Sequence, residues 1–221
     1  MQVQAGTETL DLEGLEALIF DLDGTLVESE HVWAAAKSEV ARLHGLSPTE
    51  ADLAGFVGRR ATAFAAEYLG LTDAARRAEA VDQINEIAMP RLPTELRAIP
   101  GAADLVESAR AAGLRVAICS SAPMSAIRTA LEVLGLADMV EATVSADGMS
   151  RGKPHRQPYV ETLRMLGLRP EQALAFEDSP SGIQAATAAG IPTIALGPHP
   201  AGRADTLVLA ICGSVAEVTL P

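Results

Sequence analysis

The order of strand-like and helix-like segments most limits the folds that are open to this chain of 221 residues. Outside one region, short apolar runs alternate with amphipathic segments that end at a glycine. This alternation is typical of a parallel sheet with helices on both faces. From about residue 29 to residue 97 the alternation stops, and only helical periodicity is present. We therefore predict an α/β fold with an all-helical insertion that caps a pocket.

Residue patterns give approximate bounds for each predicted element. The predicted strands are Leu15–Asp21, Leu114–Cys119, Val140–Val144, Ala173–Phe176, Pro192–Leu196 and Thr206–Ala210. The helices of the sheet region are predicted at Ala102–Ala112, Pro123–Leu134, Pro158–Leu166 and Ser179–Ala189. Those of the insertion are predicted at Glu30–Leu43, Thr49–Phe56, Thr62–Leu69 and Asp73–Met89.

Two acidic residues lie at the end of the first predicted strand. The apolar run Leu18–Phe20 leads into Asp21, and Asp23 and Gly24 follow after one intervening leucine. Side chains two positions apart in an extended chain point the same way, so both carboxylates can face one pocket. Like charges at such short range resist joint ionisation unless a cation or a shared proton is present. The pair therefore indicates an Asp nucleophile beside an Asp acid/base, with an acidic strand-to-loop turn as the alternative.

Polar residues also follow three other predicted strands. In open α/β sheets, ligands bind at the carboxyl ends of the strands. With the first two acids, these residues supply a nucleophile, an acid/base, a hydroxyl donor, a cation and a metal-binding acid pair, which are the groups that phosphoryl transfer requires. The residues are Ser120 and Ser121 after the second strand, Lys153 in the loop after the third, and Glu177 and Asp178 after the fourth.

Lysine is rare in this chain. There are 15 Arg residues and only two Lys residues, Lys37 and Lys153. Lys offers a compact point charge where Arg offers a broad planar fork, so Lys suits a crowded site. Lys37 lies in a helical pattern among Glu and Arg residues, and we predict that it is on the surface. Lys153 lies in a loop and is the better candidate for chemistry.

Charge and hydropathy narrow the classes of partner. The sequence has 17 basic and 29 acidic residues and a formal net charge of −12, which disfavours binding to nucleic acid or to an anionic membrane. No apolar run approaches the roughly 20 residues that span a bilayer. Residues 1–16 lack the basic-then-apolar order of a secretory signal, so we expect a cytoplasmic protein. No apolar stripe indicates a dimer, which leaves the oligomeric state open and a monomer compatible with the sequence.

The two cysteines indicate neither a metal site nor a disulfide. Cys119 and Cys212 are far apart and match no pattern of metal ligands. Cys119 lies in an apolar strand, and we expect it in the core.

Four segments together carry a resemblance to a known family. The chain resembles the haloacid dehalogenase-like superfamily, in the branch with a small helical cap inserted after the first strand. This resemblance spans nearly the whole length and implies a Rossmann-like parallel sheet core at residues 1–28 and 98–221, with the all-α cap at residues 29–97. The segments, in the order of the family motifs, are Asp21–Thr25, Cys119–Ser121, Gly152–Pro154 and Phe176–Ala186.

The resemblance implies roles for the acidic residues. Asp21 would attack phosphorus and form an aspartyl-phosphate, and Asp23 would protonate the leaving alcohol and then activate water. Mg²⁺ would be held by the Asp21 carboxylate, the Asp23 main-chain carbonyl and Asp178, with Glu177 as a further ligand or beside the metal.

The resemblance also implies contacts with the substrate. Ser120 and the backbone near Ser121 would hold the phosphoryl oxygens, and Lys153 would neutralise their charge. Thr25 belongs to the same predicted phosphate-binding set. In the cap, Arg59 or the adjacent Arg60 would bind a substrate hydroxyl or a second phosphate, with a solvated basic helix start as the alternative.

Three positions depart from the family pattern. Gln157 stands where many relatives have an acid, which weakens a metal-binding role for this position but does not imply loss of activity. Glu28 stands where an Asp is usual, at the hinge into the cap. Trp33 stands where β-phosphoglucomutases carry a His.

These observations favour a Mg²⁺-dependent phosphatase that acts on a small phosphorylated metabolite, with a sugar phosphate as the expected substrate. Asp23 argues against a haloacid dehalogenase proper, which has a non-acidic residue there and uses no metal. A β-phosphoglucomutase-like transferase is the alternative enzyme. The non-enzyme alternative is a phospho-Asp signalling or binding protein, since response-regulator receivers also combine Asp, Lys and Ser or Thr, although they are shorter and lack a helical insertion.

Overall fold

The computed structural model describes residues 1–197 and 206–220, with a six-stranded sheet at its centre. The strands are β1 Gln2–Ala5, β2 Glu8–Asp11, β3 Ala17–Phe20, β4 Val27–Glu28, β5 Arg97–Ala98, β6 Arg115–Ser120, β7 Ala142–Ser145, β8 Ala173–Glu177, β9 Thr193–Leu196, β10 Val208–Cys212 and β11 Val218–Thr219. The six-stranded sheet has the order β10-β9-β8-β3-β6-β7, and every neighbouring pair in it is parallel. The predicted α/β fold is confirmed.

Helices connect the strands and also form the insertion. The α-helices are α1 Glu30–Leu43, α2 Glu50–Ala54, α3 Ala61–Glu67, α4 Ala74–Ala88, α5 Leu92–Glu95, α6 Ala102–Ala111, α7 Met124–Leu134, α8 Gln157–Leu166 and α9 Pro180–Ala188. Short 3₁₀ segments lie at Ala137–Met139, Pro170–Gln172 and Val215–Glu217. In the described part of the chain, no helix combines the length and the apolar character that crossing a membrane requires.

Side chains of the central strand β3 alternate between two buried clusters, one on each face of the sheet. Ala17 and Ile19 belong to the cluster that contains residues of α8 and α9. Leu18 and Phe20 belong to the cluster that contains residues of α6 and α7. The Phe20 ring also stacks on Phe176 of β8, with centroids 4.7 Å apart. Helices therefore cover both faces, as the alternation of elements predicts.

The predicted strands and helices of the sheet region are all present, and their ends differ from the prediction by at most two residues. Differences of this size are expected because helix and strand ends are defined by marginal hydrogen bonds. Cys119 and Cys212 are both free and buried, which confirms that Cys119 belongs to the core.

An additional antiparallel sheet, with the order β11-β1-β2, has no counterpart in the sequence-based prediction. β1 and β2 form a hairpin at Gly6, whose φ of 58° is easily adopted by glycine. Of the two hairpin strands, only β1 buries side chains, so the apolar alternation is too short to be recognised. β1 also pairs with β11, through Gln4 and Thr219. That pairing joins the two ends of the chain and has no local signature.

The insertion is helical, as predicted, and α1–α5 are called the cap below. Helix α1 has the predicted bounds. Helix α2 is shorter than predicted because the chain turns after Ala54, and α3 begins one residue earlier than predicted and ends two residues earlier, at Glu67. The short helix α5 has no counterpart in the sequence-based prediction. The two connections between the cap and the sheet region lie side by side, since β4 and β5 pair with Val27 opposite Ala98. The domain boundaries at residues 28/29 and 97/98 remain a prediction, and residues 198–205 and 221 of the predicted core lie outside the described residues.

Candidate active site

The carboxyl ends of the adjacent strands β3 and β8 bring the predicted acids together. β3 lies between β6 and β8, and Phe20 is opposite both Ile118 and Phe176. The residue directly after β3 is Asp21, whose backbone N–H donates to the Phe176 carbonyl at 3.0 Å. Asp21 is therefore level with Glu177 because the register of the parallel strands sets their positions.

Lys153 reaches the same point from the loop between β7 and α8. Its ammonium lies 2.5 Å from Asp21 Oδ1, 2.5 Å from Glu177 Oε1 and 2.8 Å from the Cys119 carbonyl oxygen. The Lys153 side chain has no exposed surface. Burial disfavours the charged form, but the attraction of Asp21 and Glu177 outweighs this penalty and raises the pKa of Lys153. Lys153 is therefore a fixed positive charge beside Asp21.

Glu177 is fully buried and already has several partners. Besides Lys153, the Tyr159 hydroxyl donates to Glu177 Oε1 at 2.5 Å, and the Ser179 hydroxyl lies 3.4 Å from Oε2. Tyr159 is itself completely buried. Sequence reasoning missed this tyrosine, since a Tyr in an amphipathic helix is typical of core packing. The arrangement favours a position beside a metal ion over direct ligation by Glu177.

Asp21, Glu177 and Asp178 form a compact acid group. Each contributes a carboxylate oxygen, and these oxygens lie within 4.8 Å of one another. Burial raises the pKa of Asp21 well above its usual value, and burial together with Glu177 raises the pKa of Asp178 to about 7. Among the described residues, no hydrogen-bond partner is found for the buried Asp178 Oδ1. An unpaired carboxylate oxygen among like charges suits a divalent cation that prefers oxygen ligands, such as Mg²⁺.

The Asp23 carboxylate contacts the start of α1 and the end of β6. The carboxylate accepts hydrogen bonds from the Ser29 hydroxyl, from Trp33 Nε1 at 3.3 Å and from Ser120 Oγ at 3.4 Å. Trp33 therefore contacts the predicted acid/base directly. Sequence reasoning considered this position only as the place of a mutase His, because the contact depends on how α1 packs over the sheet edge.

The predicted phosphate-binding residues lie in different surroundings. Ser120 is buried, and its hydroxyl accepts a hydrogen bond from the Ala122 N–H at 3.0 Å. Ser121 lines the cavity above the acids, and its hydroxyl donates to the Gly58 carbonyl of the cap at 2.9 Å. Thr25 is fully buried and does not line this cavity, so its position does not favour direct contact with a substrate.

A cavity lies between the sheet edge and the cap, and it is called the cap cavity below. It is narrow in this conformation, with about 40 Å³ accessible to the centres of water molecules. Its walls include two of the predicted catalytic acids together with polar and apolar residues of the cap. The lining residues are Asp21, Asp23, Glu30, Trp33, Lys37, Gly58, Arg59, Ala61, Asn85, Ser121, Ala122, Pro123 and Asp147.

The two predicted cap arginines differ in orientation. Arg59 lines the cap cavity, forms an ion pair with Glu67 and lies over the Phe56 ring at 5.1 Å. Arg60 instead donates to the carbonyls of Ala146 and Met149 in the sheet region. Arg59 is therefore the one with access to a ligand, while Arg60 ties the cap to the loop after β7.

The prediction that Lys37 is on the surface is wrong. Lys37 is only 4% exposed, lines the cap cavity and lies 3.4 Å from Glu30 Oε1. Neighbouring Glu and Arg residues in α1 suggested a solvated helix face, but α1 packs against α4 and turns this position inward.

The Gln157 side chain contacts the loop that carries Lys153. Its side-chain oxygen accepts from Ser150 Oγ at 3.0 Å and from the Arg151 N–H at 3.1 Å. These bonds hold the loop that carries Lys153. These contacts favour a role for Gln157 in holding the loop. The expectation for this position is that a metal-binding role is weakened.

The fold and the site define a class of protein. A parallel sheet carries an Asp, a Lys and a buried acid group at its carboxyl edge, beneath a helical cap inserted after the first strand of that sheet. The sequence profile described as haloacid dehalogenase-like hydrolase matches residues 15–190. The chain belongs to the haloacid dehalogenase-like hydrolase family, and the resemblance stated from its motifs is confirmed.

Individual relatives cover most of the chain. Phosphoglycolate phosphatase from Rhodospirillum rubrum is 34% identical over 190 residues, which cover 82% of this chain and 79% of that protein. Hexitol phosphatase A from Escherichia coli (strain K12) is 34% identical over 182 residues, covering 82% of each chain. The crystal structure of CbbY from Rhodobacter sphaeroides in complex with phosphate is 25% identical, covers 92% of this chain and 96% of its own, and superposes with a TM-score of 0.79.

Proposed function

We propose that this protein is a Mg²⁺-dependent phosphatase that hydrolyses a small phosphorylated metabolite, such as a sugar phosphate, through an aspartyl-phosphate intermediate. The observation that carries the proposal is the contact between the Asp21 carboxylate and the Lys153 ammonium, beside the unpaired Asp178 oxygen and at the wall of the cap cavity. The names of two relatives, a phosphoglycolate phosphatase and a hexitol phosphatase, support this reaction class.

In this proposal Asp21 is the nucleophile and Asp23 is the acid/base. Both line the cap cavity. Asp21 attacks phosphorus, and the P–O bond to the leaving alcohol breaks as the aspartyl-phosphate forms. Asp23 donates a proton to the leaving oxygen and later takes one from the water that hydrolyses the intermediate. Hydrogen bonds from Ser29 and Trp33 hold the Asp23 carboxylate toward the cavity.

The residues present fit a magnesium ion. Asp21 and Asp178 would hold it together with the Asp23 main-chain carbonyl, and Glu177 would remain paired with Lys153. When bound, Mg²⁺ offsets the repulsion in the acid group and stabilises negative charge on the phosphoryl oxygens. Lys153 places a positive charge beside Asp21. The Ser121 hydroxyl, which donates to the Gly58 carbonyl, would have to exchange that partner to donate to a phosphoryl oxygen.

Turnover assays test the proposal. We expect hydrolysis of p-nitrophenyl phosphate and of sugar phosphates with Mg²⁺, and its loss when EDTA removes the metal. A stable phosphoprotein with negligible turnover would favour the signalling alternative. Conversion of β-glucose 1-phosphate to glucose 6-phosphate in preference to hydrolysis would favour the mutase alternative, although Trp33 occupies the position of the mutase His.

A substitution at Gly24 tests the metal site. Gly24 has a φ of 88°, and a Cβ there would overlap the Asp178 carboxylate. We expect Gly24→Ala to raise the Mg²⁺ concentration for half-maximal activity by about tenfold or more, because a loss of about 1.4 kcal/mol in ligand geometry has that effect. The control is Gly14→Ala, with a similar φ of 73° and no atom within 4 Å of the added Cβ. Equal Mg²⁺ dependence in the two variants would contradict the site.

A substitution at Gly58 tests whether activity requires the close contact between the cap and the sheet region. This residue has a φ of 70°, its carbonyl accepts from Ser121, and a Cβ there would overlap Ser179. We expect Gly58→Ala to lower kcat/KM by about tenfold, since small displacements of positioning groups are costly. In the matched variant Gly70→Ala, φ is 67° and the added Cβ meets no atom within 4 Å. The strain of a positive φ is common to both variants, so a further loss of stability in Gly58→Ala reports the overlap with Ser179. Equal kcat/KM values in the two variants would show that this contact is dispensable.

A further inference from the structure

Three polar residues of the cap share the cap cavity with Asp21 and Asp23 but have no place in the steps above. Glu30 and Lys37 belong to α1, and Asn85 belongs to α4. Glu30, Trp33 and Lys37 follow one another at three- and four-residue spacing, which places them on one face of the helix. Because Trp33 donates to Asp23, this face is turned toward the predicted acid/base.

Lys37 on this face and Asn85 of α4 have unused hydrogen-bonding capacity. An ammonium has three N–H donors, and among the described residues the only acceptor found for Lys37 is Glu30 Oε1 at 3.4 Å. The side-chain oxygen of Asn85 is buried, and within the same residues it has no partner. Leaving buried polar groups unpaired is costly, so these positions favour a ligand that both donates and accepts hydrogen bonds. A hydroxyl group does both.

Charge distinguishes between two kinds of phosphate ester. The cations in the wall of the cap cavity are each paired with a carboxylate, Lys37 with Glu30 and Arg59 with Glu67. Asp147 adds a further acid to the same wall. A leaving group with its own carboxylate or phosphate would meet neutralised cations and nearby acids, which disfavours it. A neutral leaving group with hydroxyls would meet donors and acceptors.

We propose that Glu30, Lys37 and Asn85 form a subsite for the hydroxyl groups of a neutral leaving group. The enzyme then prefers phosphorylated polyols and sugars to phosphate esters whose leaving group is anionic. This inference rests on the proposed function and narrows its substrate class.

The test compares kcat/KM for three phosphate esters in Mg²⁺. Glucitol 6-phosphate has a neutral leaving group rich in hydroxyls, phosphoglycolate has an anionic leaving group, and p-nitrophenyl phosphate offers no hydroxyl. For the wild type we expect the value for glucitol 6-phosphate to exceed that for phosphoglycolate by at least about tenfold, the size of a single favourable contact.

Two variants probe the subsite separately. Lys37→Met should lower kcat/KM for glucitol 6-phosphate by about tenfold to a hundredfold, the range of a hydrogen bond to a charged group, and change p-nitrophenyl phosphate by less than about threefold. Glu30→Gln leaves the Lys37 ammonium unneutralised, so the ratio of phosphoglycolate to glucitol 6-phosphate should rise at least about tenfold. The control Glu39→Gln makes the same change on the exposed face of α1 and should leave the ratio unchanged.

Several results would overturn the inference. Equal losses on glucitol 6-phosphate and p-nitrophenyl phosphate in Lys37→Met would assign the ion pair to helix stability alone. A wild-type preference for phosphoglycolate, or an unchanged ratio in Glu30→Gln, would also reject the subsite. If Lys37→Met does not fold, the double variant Glu30→Gln/Lys37→Met restores neutrality and should lose glucitol 6-phosphate activity without gaining phosphoglycolate activity.

Failure of the subsite is distinguishable from failure of the proposed function. Turnover of p-nitrophenyl phosphate that depends on Mg²⁺ and Asp21, with unchanged selectivity in the variants, rejects the subsite alone. Absence of Mg²⁺-dependent turnover of all three esters by the wild type rejects both.

Discussion

Replacing Asp21 with Asn is expected to lower kcat for p-nitrophenyl phosphate by at least about 10⁴-fold, because an amide cannot act as the nucleophile. The fold should survive the change. Burial raises the pKa of Asp21, which means that the charged carboxylate is costly in the folded protein, and Asn has nearly the same shape without the charge. Lys153 keeps Glu177 as its partner in the variant.

The measurement combines steady-state kinetics with thermal denaturation. Asp138→Asn makes the same chemical change at an exposed residue between α7 and β7 and should retain full activity. Rapid acid quenching of the wild type during turnover should trap a phosphoryl group on Asp21, detectable by mass spectrometry of peptides. Substantial turnover by a folded Asp21→Asn protein would remove Asp21 from the mechanism.

The second large effect is expected from Lys153→Met, which should lower both stability and activity. Lys153 forms ion pairs with Asp21 and Glu177, and all three side chains are buried. Removal of one partner from a buried ion pair leaves uncompensated charge, so the free energy of unfolding should fall by about 3–5 kcal/mol. Loss of a charge that stabilises the transferring phosphoryl group should also lower kcat by about 10²–10³-fold.

The pH dependence of this loss follows from the pKa of Lys153. The pKa is raised above the model-peptide value of 10.5, so the stability that Lys153 contributes is fully present below that pH and is lost only as pH rises through the folded-state pKa. The difference between wild type and Lys153→Met should therefore persist from about pH 6 to about pH 9.

Urea denaturation of the wild type and the variant measures the difference. Arg151→Met removes an exposed cation from the same loop and should change stability by less than about 0.5 kcal/mol. Equal stability of Lys153→Met and Arg151→Met would mean that the buried ion pairs contribute no net stability.

Much of the candidate site was accessible from the sequence because its signals are local. The spacing of Asp21 and Asp23 after an apolar run places two acids at the end of a strand. Lys153 is predicted to take part in the chemistry because lysine is rare in this chain and the residue lies in a loop. In a parallel sheet, strand ends share one edge, so the fold class was sufficient to predict that Asp21, Lys153 and Glu177 meet.

The errors have a common physical origin in contacts between distant segments. Lys37 was predicted on the surface because its neighbours in the chain are charged, yet its burial depends on α4, which lies more than thirty residues away. The pairing of β1 with β11 joins the two ends of the chain. Tyr159 resembles an ordinary core residue until its hydroxyl is seen to reach Glu177.

The sequence by itself determined the order of elements, the helical insertion and the residues at the strand ends, because each follows from the periodicity of neighbouring residues. Only the tertiary structure shows which face of α1 lines the cap cavity. It also shows that Glu30 pairs with Lys37 and that Glu67 pairs with Arg59. Packing of helices depends on the shapes of side chains far apart in the chain, and periodicity carries no information about those shapes. The residues at the strand ends can therefore be predicted from local sequence, whereas the set of residues that lines the cap cavity depends on how the cap packs.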